Sequence, residues 1–224
     1  MSMETVAANE PCQLARNTAR GRSPHRRGLS VAADRLADRV PTPRTFWVSV
    51  AALPLYMIVM NLGALVVARL AGYHRSSGML FGLSMSPGYG PRRAHDILIA
   101  LGARGRLADA VTLAVFDVAF PVVYGVLLSR GLRLVAARLG WSTRARKTVA
   151  IVPLISVVAN WLADICIISL IGAFPHSVAP LAVAASALTG VKFAVIAASA
   201  AGLVVSAGLL GLRRRSQAAA AVVR

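Results

Sequence analysis

Carboxylates are what this chain has least of. Eight Asp and Glu stand against 25 Lys and Arg in 224 residues, a formal net charge of +17. Magnesium-dependent diphosphate chemistry needs an Asp-rich pair, and the chain has none. Cysteine is limited to Cys12, in a polar leader, and Cys166, inside an apolar run. Neither a disulfide framework nor a zinc site is built from two residues so placed. Lysine is almost missing: only Lys147 and Lys192 are not Arg among the basic residues, the signature of GC-rich, bacterial coding. Aromatic residues are 6% of the chain, too few exposed ones to stack on bases, so the positive charge is not read as a nucleic-acid site. No metal and no cofactor is expected.

What is abundant is apolar. Hydrophobic residues make up 57% of the chain and charged ones 15%, where ordinary soluble domains are about 45–50% apolar with about 25% charge. The charges are also segregated, so one membrane-embedded bundle is expected. Four runs, 46–68, 107–129, 148–171 and 181–212, are long enough to cross a hydrocarbon core about 30 Å thick as helices. The first opens on the interfacial anchors Phe46 and Trp47 and holds Pro54 and one strongly polar residue, Asn61. A polar side chain there is expected to bond a neighbouring helix. The last run is longer than one crossing needs. Its small-residue pairs Ser186/Gly190 and Ala198/Gly202 let helices approach closely, making it the expected contact of a homodimer.

The organisation expected is an Arg-rich leader over 1–45, an all-α four-helix membrane bundle over 46–212, and a basic tail over 213–224. In the leader, Leu29, Ala32, Leu36 and Val40 form a helical stripe ended by Pro41 and Pro43. It reads either as a short helix lying on the membrane or as a solvated tail. The connection over 72–106 starts Gly- and Ser-rich; Pro91 then opens a helix whose Ile97, Leu98 and Leu101 are expected to face the membrane. His74, His95, Asp96 and His176 lack ligand spacing and are read as interfacial or solvated. The leader, the connection over 130–147 and the tail carry 18 Lys and Arg, against six on the first connection. The positive-inside rule then puts both termini in the cytoplasm, with anionic lipid headgroups as partners of the charge.

Asp117 falls near the centre of the second run, where an ionisable group costs roughly 2.5–3.5 kcal/mol to insert and is a functional-site hypothesis by default. Asp164 in the third run and Lys192 in the fourth answer it. Helical spacing puts Leu113, Asp117, Pro121, Tyr124 and Leu128 on one stripe. Pro153, Ser156, Asn160, Asp164 and Ile167 form a second, and Thr189, Lys192, Ser199 and Ser206 a third. Lipid cannot satisfy these stripes, so the bundle is expected to turn them inward. One acid is expected to pair with Lys192, leaving the other to hold a proton, with the Tyr124 phenol donating to a carboxylate. Pro121 is expected to free carbonyls on the preceding turn. Asp109 is expected near a membrane surface, beside Arg106.

The stretch from Ala100 to Leu132, with an Asp-bearing third span and Lys192 in the fourth, resembles a broad group of uncharacterised four-span bacterial membrane proteins. Their second span carries a D-x-x-F-P-x-x-Y-like core, here Asp117, Phe120, Pro121 and Tyr124. The resemblance covers spans two to four and implies a four-helix membrane bundle.

Three functions compete. The first is an acid–base enzyme on a hydrophobic, isoprenoid or lipid-like substrate, for example a proton-initiated cyclisation or isomerisation. Asp117 or Asp164 would donate the proton, Lys192 and Asn160 would hold the other acid, and Tyr124 would assist. Phe116, Phe120, Trp161 and Asn61 would bind substrate, the aromatic rings shielding a cation. The second is a small proton-coupled carrier subunit using the same three charges as a relay. The third is a non-catalytic accessory protein whose polar core only fixes helix register.

Overall fold

The computed structural model describes residues 42–73 and 81–222. Cys12, His74 and the stripe over 29–40 lie outside them. The described residues form helices and turns with no strand. The helices are α1 (Pro43–Leu70), α2 (Pro91–Thr112), α3 (Phe120–Arg138), α4 (Thr143–Ala173) and α5 (Ala179–Val222). A single π-helical turn, Leu113–Asp117, joins α2 to α3. The protein thus has four helical stretches long and apolar enough to span a membrane: Pro43–Leu70, Pro91–Arg138, Thr143–Ala173 and Ala179–Arg213.

Local chemistry sets the starts. Thr42 caps α1 by accepting the Thr45 N–H at 3.3 Å, and Pro43 follows where a missing N–H costs nothing. Ser142 caps α4 through the Ala145 N–H at 3.3 Å. Helix α2 breaks at Gly102, whose φ of 66° any other residue would adopt only under strain. The break frees carbonyls of the preceding turn. Arg106 catches one of them, donating to the Leu98 carbonyl at 2.9 Å while its guanidinium lies 3.8 Å from the Phe174 ring centre.

This break corrects one expectation. Leu98 and Leu101 do not face the membrane; both are buried in the main apolar cluster, and Ile99 points outward. The kink folds the first half of α2 over the end of the bundle, which turns these residues inward. Asp109 is not a surface group either. It is 1% exposed and accepts the backbone N–H of Phe81 at 2.8 Å. Phe81 has φ 66°, a left-handed conformation rare for a bulky residue, and the Asp109 carboxyl holds it there.

Helix α4 packs most extensively on α5 and then on α3; α1 lies against α2 and α3 at the side. The segment over 81–90 between α1 and α2 is buried at its start and exposed from Met85 to Gly88. Leu83 is fully buried and Ser84 is 1% exposed. Phe81 bonds Asp109 and Ser84 bonds Asp117, eight residues further along the second span. The turn over 81–84 therefore packs against the second span between Asp109 and Asp117, and the chain returns to the surface at Met85.

Candidate functional site

All three polar stripes turn inward. Asp117, Asp164 and Lys192 are 3%, 4% and 4% exposed, and Asn160 is 1% exposed. Leu113, Pro121, Tyr124 and Leu128 are buried on the second span, and Pro153, Ser156 and Ile167 on α4. Thr189 and Ser199 are buried on α5, and Ser206 is half-buried. The reason is the one that spacing suggests: no lipid group can bond these side chains.

Three helical segments and the turn carrying Ser84 meet at the carboxyl groups. Asn160 Nδ2 donates to Asp164 Oδ2 at 2.7 Å, one turn along α4. The Asp117 carboxyl lies beside both Asn160 and Asp164. Ser84 Oγ donates to Asp117 Oδ2 at 3.4 Å. Lys192 Nζ donates to the Ser84 carbonyl at 2.7 Å and lies 3.3 Å from Ser84 Oγ. The ammonium thus does not clasp either carboxylate as a direct ion pair. Ser84 stands between the charges, bonded to both sides. Thr189, one turn before Lys192, is fully buried with its Oγ1 unpartnered among the described residues.

The backbone beside Asp117 is opened twice. The π turn ends on Asp117, and Pro121 removes an N–H four residues later. Side chains from other helices take the carbonyls this frees. The Tyr56 hydroxyl of α1 donates to the Phe116 carbonyl at 2.6 Å. The Trp161 indole N–H of α4 donates to the Val118 carbonyl at 2.8 Å. Broken helix is tolerated at membrane depth only with such partners.

Some expected roles change. Tyr124 does not reach a carboxylate; it donates to the Ser156 carbonyl at 3.3 Å, because the ring lies along α4 two turns before Asp164. Its ring packs edge-on against Phe120, which in turn stacks on Tyr56. Phe116 is seated on Gly63 of α1, where a Cβ would run into its ring. Phe116 and Phe120 thus form the joint between α1 and the second span. Trp161 is 38% exposed and serves the Val118 carbonyl. Asn61 does not face the bundle. It is exposed and donates to the Met57 carbonyl of its own helix at 2.7 Å, which satisfies it without a neighbour.

Sequence reasoning missed Ser84, Tyr56 and Asp109. Asp109 had a signal: it precedes Asp117 by eight residues, about two helical turns, and so shares its face. Ser84 had none, sitting in a Gly- and Ser-rich connection. Among the described residues no three His, Cys, Asp or Glu side chains are grouped closely enough to hold a metal ion. His95 instead stacks on Phe174 at 5.4 Å. Outside the spans, burial pushes the Tyr89 phenol up to about 12. No family model, curated protein or solved structure matches this chain.

Proposed function

We propose that the Asp117–Asp164 carboxyl pair is a proton-exchanging centre inside the membrane. It performs acid–base chemistry on a hydrophobic, isoprenoid or lipid-like substrate. One observation carries this reading. Asp164 Oδ1 is buried and has no N–H or O–H donor among the described residues, and the Asp117 carboxyl lies beside the Asp164 side chain. A single proton held between the two groups gives that oxygen its hydrogen bond. It also leaves one negative charge opposite the Lys192 ammonium. This is the arrangement in which one carboxyl gives a proton and the other takes one. Asn160 and Ser84 orient the pair, and Lys192 balances the charge through Ser84.

The test is deuterium incorporation. Cells expressing the chain, grown in deuterated water, are expected to accumulate an isomerised or cyclised apolar product carrying one solvent deuteron. Asp117→Asn and Asp164→Asn should each abolish that product while melting within a few degrees of wild type in detergent. Variants that unfold, with no product from wild type, would return the site to a packing role.

A second reading is a proton-coupled carrier. Non-helical backbone at membrane depth is normally buried in protein or lines a transport path, and the segment over 81–90 reaches the carboxyl pair. With both termini cytoplasmic, that segment faces the outer side and would route protons from there. Proteoliposomes that collapse a pH gradient only with cargo present, without altering the cargo chemically, would select this reading.

A further inference from the structure

At the end of the bundle remote from the segment over 81–90 lies a groove of about 440 Å³. The start of α1 forms one wall with Phe46 and Trp47, the end of α3 a second with Leu134, and the later half of α5 a third with Leu203 and Ala207. The lining is apolar except for Arg138. Two further facts say what kind of occupant fits. Phe46 and Trp47 meet edge-to-face at 5.6 Å at the end of the first span, the level at which aromatic side chains anchor in headgroups. Arg138 is exposed and makes no hydrogen bond or ion pair among the described residues. No carboxylate lies on any of the three helical ends that form the groove; the described acids are Asp96, Asp109, Asp117 and Asp164. Arg44 and Arg213, both exposed, flank the same end.

An apolar groove at headgroup level, with one guanidinium uncompensated and only positive charge around it among the described residues, is complementary to a molecule with an apolar chain and an anionic head. We infer that it is a binding site for an anionic phospholipid. An acyl chain lies between α1, α3 and α5, and the phosphate is held by Arg138. The phosphate accepts hydrogen bonds from the guanidinium, and the chain covers apolar surface that α1 and α5 leave open. The inference is independent of the carboxyl pair.

Native mass spectrometry of the full chain in detergent tests it, with equal amounts of palmitoyl-oleoyl phosphatidylglycerol and phosphatidylcholine. Wild type is expected to retain the first phosphatidylglycerol about fivefold over phosphatidylcholine, the effect of one basic side chain near an anionic head. Arg138→Gln should bring the ratio to about one, Arg138→Lys should keep most of it, and Arg93→Gln at the other end should leave it unchanged. Ala207→Phe and Gly211→Leu fill the groove and should each lower retention of both lipids. Equal retention by wild type would overturn the site, as would a preference that survives Arg138→Gln or tight retention in both groove-filled variants.

Discussion

Helices α1 and α4 are equally apolar, yet they occupy opposite positions in the bundle. In their most apolar stretches 44% of α4 is buried but only 11% of α1. The difference lies in how each treats its polar residues. Helix α4 aligns Ser156, Asn160 and Asp164 on one buried face; Ser156 and Asn160 bond within α4, but Asp164 still carries a buried Oδ1 with no donor among the described residues, which lipid cannot supply. Helix α1 has Asn61, which its own Met57 carbonyl satisfies. Mean hydropathy decides that both helices enter a membrane. The polar minority decides which of them sits in the middle.

That contrast can be broken or sharpened by substitution, each variant read as thermal stability in one detergent. The largest effect is expected from Asn160→Leu. It strips the donor from the buried Asp164 carboxyl and should cost about 3 kcal/mol. Gly63→Val comes next. It drives a side chain into the Phe116 ring and should cost about 2 kcal/mol, loosening α1 while the α4–α5 packing persists. Tyr56→Phe leaves the Phe116 carbonyl without its donor and should cost about 1 kcal/mol. Asn61→Leu should change stability by less than about 0.5 kcal/mol, since Asn61 is exposed and bonded within its own helix. An Asn61→Leu loss as large as that of Asn160→Leu would erase the distinction between the two helices.

Much of the site was legible because its logic is periodic. Asp117, Asn160, Asp164 and Lys192 announce themselves as polar residues in apolar runs, and a repeat near 3.6 residues assigns each a face. The opened backbone around Pro121 was legible for a similar reason, since a missing N–H is a property of the residue itself. Tyr124 was misplaced because a phenol reaches several acceptors from one face, and only the packing of α3 on α4 selects the Ser156 carbonyl. Leu98 and Leu101 were misplaced because the turn at Gly102 redirects the helix that carries them.

The sequence by itself determined that this protein is a bundle of four membrane-spanning helical stretches with acids and an ammonium inside. The bilayer imposes length and hydropathy on each run separately, so the information is local. Only the tertiary structure decided how those charges meet. Ser84, 108 residues from Lys192 along the chain, enters the bundle and stands between the ammonium and Asp117. A hydrogen bond is made or lost over a fraction of an ångström, and that precision comes from the packed helices together rather than from any one of them.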